Sequence, residues 1–163
     1  MVALGQGTGT WQNFSIGNPP MKVLVPGEPT PQNVTLPKTV QDFVKTYQAS
    51  YYEDGHGLVI TIMHVVYSVD VVADLSGALE GTNGQWKATG SKVAILSTSH
   101  NRITGKSSIQ ERGKLINGGE ENDYMDIVIG DGPKLWQVIV MVPSKDAERL
   151  KTLQKIVDSI TFK

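Results

Sequence analysis

The run Phe43-Val-Lys-Thr-Tyr47-Gln-Ala-Ser-Tyr51-Tyr-Glu-Asp54-Gly-His-Gly57, continued by Leu58-Val-Ile-Thr-Ile62-Met-His-Val-Val-Tyr67, decides the fold. In its first half Phe43, Tyr47, Ala49 and Tyr51 alternate with Val44, Thr46, Gln48, Ser50 and Tyr52. That period of two belongs to a strand, whose successive side chains point to opposite faces. Asp54-Gly55 and Gly57 then supply positions that tolerate positive φ, as a tight hairpin turn requires. The second half is apolar on both faces, with His64 on the same pleat face as Leu58, Ile60, Ile62 and Val66. A strand with no polar face reads as central, covered on each side.

Working outward, Trp11, Phe14 and Ile16 read as a short strand, broken by Gly17-Asn18-Pro19-Pro20, and Met21–Val25 as a second. Pro26, Pro29 and Pro31 remove ladder donors and hold φ, so that segment is expected to run extended along the surface. Downstream, Val72, Leu75 and Leu79 predict a helix from Asp70 to Lys87, with Ser68 or Asp70 as N-cap. Gly77, Gly81 and Gly84 weaken it. Val93–Leu96 resumes strand, Ser97–Asn101 reads as a polar loop, and Arg102–Gly105 and Ser108–Ile116 read as strands. Tyr124–Ile129 and Leu135–Val142 flank a second hairpin turn at Gly130–Lys134. After Pro143 the period changes from 2 to 3.6. Ala147, Leu150, Leu153, Val157 and Ile160 form one stripe, with Ser144 as N-cap, and Ile160–Phe162 is expected to add an edge strand. The layout is α+β: a twisted antiparallel sheet flanked by helices. Residues 1–9 read as a flexible Gly/Thr-rich segment and 10–163 as a single domain.

Composition removes several function classes. The chain has 163 residues and no Cys, which excludes a disulfide scaffold, a thiolate zinc site and a Cys nucleophile. Fifteen Lys+Arg against 16 Asp+Glu give a net charge of −1, and a nucleic-acid binder normally carries a basic excess. The first residues have neither a basic nor an apolar signal region, and no stretch reaches the ~18 apolar residues of a spanning helix. No transmembrane segment and no cofactor are expected, and composition leaves the compartment and oligomeric state open.

Three groups of residues carry candidate chemistry. Glu53, Asp54 and His56 at the hairpin tip combine an imidazole with two carboxylates, a set suited to a divalent metal, although a solvated polar turn explains them more simply. Glu120, Glu121, Asp123 and Asp126 form the densest acidic cluster, but their spacing does not match a calcium loop. A hydrolase would use His64 or His100. His100 has Ser97 and Ser99 nearby, yet no nucleophile-elbow motif exists, and His64 reads more simply as a buried, hydrogen-bonded imidazole. Gly5-Gln6-Gly7-Thr8-Gly9 lacks the preceding strand and the Lys of a phosphate loop. Tyr47, Tyr51, Tyr67 and Tyr124 fall in strands and would mark a partner surface if exposed together. Pro26, Pro29 and Pro31 form the other candidate partner surface.

Three segments together resemble the PsbP-like fold group. Phe14-Ser15-Ile16 followed by Met21–Pro29 resembles the group's "F-x-V … F-P-G-x-P" opening. Ile103–Arg112 resembles its mid-chain "G-x-P-G-x-E" segment, with Ser107-Ser108 where the group has Pro-Gly. Leu135–Val140, a helix and Val157–Phe162 resemble its ending. The group includes extrinsic photosystem II subunits, nuclear-transport accessory proteins that bind a small GTPase, and bacterial lipoproteins. The resemblance implies a non-catalytic binding or assembly module that contacts a protein partner, located outside the cytoplasm in the periplasm or on a lipid anchor. A domain that binds a small ligand or divalent metal is the alternative.

Overall fold

A computed structural model describes residues 10–68 and 70–163. Residues 1–9, with the flexible segment and the glycine run read there, lie outside the described residues. Strands β1 (Gln12–Ile16) and β2 (Met21–Val25) form a two-stranded antiparallel ribbon. Strands β3 (Thr30–Gln32), β4 (Val44–Glu53), β5 (Val59–Tyr67), β6 (Lys92–Ile103), β7 (Lys106–Asn117), β8 (Glu120–Asp131) and β9 (Lys134–Pro143) form one antiparallel sheet. Its order is β3-β4-β5-β9-β8-β7-β6. Three helices complete the chain: α1 (Lys38–Gln41), α2 (Leu75–Ala88) and α3 (Ala147–Asp158). The α+β class, the antiparallel sheet and the flanking helices are those expected from the sequence. None of the helices is long and apolar enough to cross a membrane, among the described residues.

The turns follow from local chemistry. Thr104-Gly105 (φ 49° and 82°) joins β6 to β7, and Gly118-Gly119 (60° and 89°) joins β7 to β8. Two consecutive positive φ values give a turn whose twist matches the strands it connects. The polar Ser97–Asn101 stretch, expected as a loop, is instead the middle of β6, paired with β7 from Ser97–Arg112 to Asn101–Ser108. The alternation signal fails there because β6 is an edge strand exposed along almost its whole length. Neither face then needs to be apolar.

The sheet buries its two faces unequally. On one face Ile60, Ile62, Met125, Ile127, Ile129, Trp136, Val138 and Val140 share a core with Met21, Val23 and Val25 of β2 and Leu153, Ile156 and Val157 of α3. Here α3 packs on β9, β8 and β2. On the other face α2 packs on β6, β7 and β8, around Leu79, Ile109, Val128, Leu135 and Val65. The central strand of the sheet is therefore β9, not β5. The double cover expected for Leu58–Tyr67 is complete on one face and partial on the other, where Val65 is buried in the α2-side core. Ile60, Ile62 and His64 are buried, while Val59, Thr61 and Met63 on the other are half-exposed.

Four further expectations are corrected by cap and edge geometry. The N-cap of α2 is Asp74, whose Oδ1 accepts from Gly77 N at 2.9 Å. Ser68, Asp70 and Val72 precede the helix, and Val72 is exposed. The N-cap of α3 is Asp146, which accepts from Glu148 N and Arg149 N. The Ser144 hydroxyl instead donates to Asp123 at 2.6 Å. Pro26–Pro31 is not a continuous strip: Pro26 is half-buried, Pro29 is buried, and only Pro31 is exposed. Pro31 lies inside β3, opposite Ser50 of β4. The expected terminal edge strand reduces to a single bridge between Thr161 and Lys22.

Trp136 joins the two sheets. It is fully buried, its indole N–H donates to Ile16 O at 3.2 Å, and its ring stacks on His64 at 4.6 Å and meets the edge of Phe162 at 4.8 Å. Gly17 makes this approach possible. It sits at φ +89°, and a Cβ there would lie 2.5 Å from the indole nitrogen and 2.9 Å from the His64 ring. Gly17→Ala is expected to destabilise the fold by about 2–4 kcal/mol through left-handed backbone strain and overpacking. The midpoint of urea unfolding, read by Trp fluorescence, measures it; an unchanged midpoint would show that the ribbon is not anchored through this contact.

Candidate functional site

The hairpin tip spends its carboxylates internally. Asp54 Oδ1 accepts from His56 N at 2.7 Å and from Leu58 N at 3.2 Å. Its other oxygen pairs with Arg149 of α3. Burial pushes the Asp54 carboxyl up, but these backbone and guanidinium hydrogen bonds outweigh it, and the group ends below its usual range. Glu53 Oε2 accepts from the Tyr51 phenol at 2.7 Å, and that bond, with burial, pushes Tyr51 up to about 12. Glu53, Asp54 and His56 are neighbours in the turn, yet no group of three His, Asp or Glu is arranged to hold a metal ion among the described residues.

Strand alternation disperses the acidic cluster. Asp123 and Glu121 face the α3 side and are bonded by the Lys114 ammonium at 3.0 and 3.1 Å. Asp126 faces the α2 side, fully buried. The same alternation separates His100 from Ser97 and Ser99, which lie on the opposite face of β6. His64 is buried, with Nδ1 3.0 Å from Leu135 O. Burial lowers its pKa, and its ring is packed between Trp136 and Gly17. Among the described residues, no Ser or carboxylate hydrogen-bonds either imidazole ring.

Beneath α2 lies a polar network that the strand patterns did not announce. Glu111 of β7 and Asp126 of β8 are directly opposed across the ladder, both buried. Glu111 Oε1 accepts from the Tyr124 phenol at 2.7 Å and from Asn83 Nδ2 of α2 at 3.0 Å. Tyr124 reaches it because its cross-strand partner is Gly113, where a Cβ would lie 2.7 Å from the phenol oxygen. Asp126 accepts from Gln137 Nε2 at 2.9 and 3.0 Å, and that amide also donates to Thr82 of α2 at 3.0 Å. Burial, helped by the neighbouring Glu111 and opposed by the Gln137 bond, pushes Asp126 up to about 7. Burial and the Glu111 bond also push Tyr124 strongly upward. The only hint in the sequence is a carboxylate or amide inside each apolar run: Asp126 between Met125 and Ile127, Gln137 between Trp136 and Val138.

Perturbed carboxylates often mark active sites. Here α2 lies over the pair, and neither residue lines the open cleft beside the start of α2 or the one at the β6–β7 turn. The arrangement stores a proton near neutrality and fastens α2 to the sheet. The larger cleft, about 600 Å³, lies instead between the start of α2 and the far end of β6, lined by Asp74, Ser76, His100, Arg102 and Ser107 among others.

Two solved structures are similar to this chain in fold. Cyanobacterial PsbP (CyanoP) from Synechocystis superposes with a TM-score of 0.64 over 96% of this chain and 94% of its own, at 12% identity. The fold is PsbP-like. LpqN of Mycobacterium tuberculosis, involved in cell envelope biogenesis, superposes with a TM-score of 0.52 over 99% of this chain and 96% of its own, at 16% identity. No family model and no curated protein matches the sequence. At these identities the PsbP-like likeness concerns the backbone arrangement and carries no residue of a site.

Asp126 sets a pH dependence of unusual sign. Its folded pKa lies above the unfolded value of about 3.9, so the native state holds the proton more tightly. The stability it contributes is fully present below that value and is lost as pH rises toward about 7, with a slope on the order of 1.4 kcal/mol per pH unit. Denaturant midpoints across that window should fall with pH in the native sequence and be flatter in Asp126→Asn. Parallel profiles would show that Asp126 ionises freely.

Proposed function

We propose that the protein is a non-catalytic binding or assembly module that contacts a protein partner at the cell envelope. The observation that carries this reading is the uncovered half of the α2-side sheet face. Helix α2 packs over β6, β7 and β8. Across β4 and β5, Tyr47, Tyr51, Thr61 and Met63 stand half-exposed, Tyr51 directly opposite Thr61 and the Tyr47 phenol donating to Met63 Sδ at 3.2 Å. Phe43, just before β4, is 58% exposed. Aromatic and methionine side chains gathered on a flat open face are the composition of protein interfaces, and a face of this kind favours a partner over a small molecule. The dispersal of His64, His100 and the acidic groups described above supports a role without catalysis.

The likeness in fold to LpqN, a protein involved in cell envelope biogenesis, supports placing the module outside the cytoplasm. Pro31, the exposed member of the proline strip, sits in the short β3 at the margin of the sheet and removes a ladder donor there.

A photoreactive phenylalanine analogue placed at Thr61, with a second protein carrying it at the exposed Lys151 of α3, tests the surface in native extract. The Thr61 position is expected to form an adduct with a discrete protein, and the additional substitution Tyr51→Lys to reduce it several-fold. Identical adducts from both positions, or none from Thr61, would refute the assignment of this face.

A further inference from the structure

The two edges of the main sheet differ in a way that bears on partner chemistry. The β3 edge is three residues long and carries Pro31. The β6 edge is twelve residues long, with almost every side chain exposed. A long unblunted edge presents unpaired N–H and C=O groups, which natural sheets usually shield with proline, short strands, charges or bulges. Two such devices are present: the charges of Lys92 and Arg102, and a bulge at Leu96, an extra residue where the register shifts between Ile95 and Ser97. The bulge bends the first third of the strand. From Ser97–Arg112 to Ile103–Lys106 the pairing is regular, so the outer side of Ser97–Ile103 is a straight, open ladder.

The charge of this edge is one-sided. Strand β6 contains Lys92, His100 and Arg102 and no carboxylate. Among the described residues neither Lys92 nor Arg102 is in an ion pair. The Arg102 guanidinium donates to Gly105 O at 2.9 Å. The open cleft of about 600 Å³ lies against the regular stretch, lined by His100, Asn101 and Arg102 from β6, Ser107 from β7, and Asp74 and Ser76 at the start of α2. Asp74 is the only carboxylate lining it, and that carboxylate is engaged as the cap of α2. Antiparallel self-pairing of this straight stretch centres on His100 and sets Arg102 opposite Thr98 of the other copy, so a second copy of this chain offers Arg102 no carboxylate, whereas an acidic segment does.

We propose that Ser97–Ile103 of β6 is a strand-addition site for an extended acidic segment of a protein partner. The segment's backbone continues the ladder, and alternate acidic side chains enter the cleft beside His100 and Arg102. Main-chain hydrogen bonds supply affinity and the cleft supplies specificity, the division of labour general to strand addition. The proposal rests on the reading of the protein as a binding module but uses an edge distinct from the open sheet face.

The test uses a fluorescein-labelled, end-blocked heptapeptide alternating Glu and Val as the probe. Three comparisons accompany it: the same peptide with Lys for Glu, the same peptide N-methylated at alternate valines, and the protein variant Arg102→Glu. Fluorescence anisotropy reads affinity, and amide hydrogen exchange on the protein reads location. The Glu peptide is expected to bind at least tenfold more tightly than the Lys peptide, to lose binding on N-methylation, and to weaken at least fivefold against Arg102→Glu. Alternate amides within Ser97–Ile103 should gain protection. Equal affinity for both peptides, protection confined to other strands, no binding at millimolar peptide, or protection of the same amides by dimers of the protein alone would each overturn the proposal. Crosslinking at Thr61 reads the open face separately, so failure here and failure there are distinguishable.

Discussion

The indole of Trp136 is the contact through which separate parts of the chain become one core. It sits on the central strand β9, donates to the end of β1, stacks on His64 of β5 and meets Phe162 beyond α3. Segments more than a hundred residues apart are thereby held within one ring's reach. Gly17 is the complement of that ring, since a side chain at the ribbon turn would occupy the space the indole and imidazole fill. The burial of His64 follows from the same contact. Its imidazole is a packing element with one nitrogen bonded to a backbone carbonyl, an arrangement that favours the neutral form.

The opposite face is fastened differently. Where the α3 side relies on apolar packing, α2 is tied down partly by polar groups: Asn83 to Glu111 and Thr82 to Gln137. Buried polar networks are costly unless their members find partners. They also fix one register, because a one-residue slip would carry Glu111, Asp126 and Gln137 to the α3 side. The cost is visible in Asp126, which retains its proton toward neutrality because burial beside Glu111 disfavours a second charge.

That division leaves the molecule with two open features of opposite character. The aromatic and methionine-bearing half-face over β4 and β5 is broad and apolar. The β6 edge is narrow, polar and basic. The first arises because a helix of fourteen residues spans only part of a seven-stranded sheet, the second because β6 is the outermost strand of an unclosed sheet. The uncovered surface must be either solvated or partnered, and its composition on β4 and β5 suits the second.

Much of this could be read from residue patterns alone. The hairpins at Asp54–Gly57 and Gly130–Lys134 and the α3 stripe depend on period and turn chemistry, which are local, and they formed where the patterns placed them. The sequence by itself therefore determined most of the strands, the hairpin turns, the α+β class and the likeness to the PsbP-like group. It could not announce the middle of β6, Ser97–Asn101, because an edge strand exposed on both faces has no alternation to display. Nor could it assign the caps: Asp74 and Asp146 hold the helix N–H groups, while Ser144 is engaged with Asp123 and Ser68 and Asp70 precede the helix. Tertiary structure alone decided which carboxylates were consumed by Arg149 and Lys114, which pair was buried beneath α2, and which half of the sheet stayed open. Those outcomes depend on residues far apart in the chain meeting across strands and layers, and pairings of that range leave no periodic trace in the order of residues.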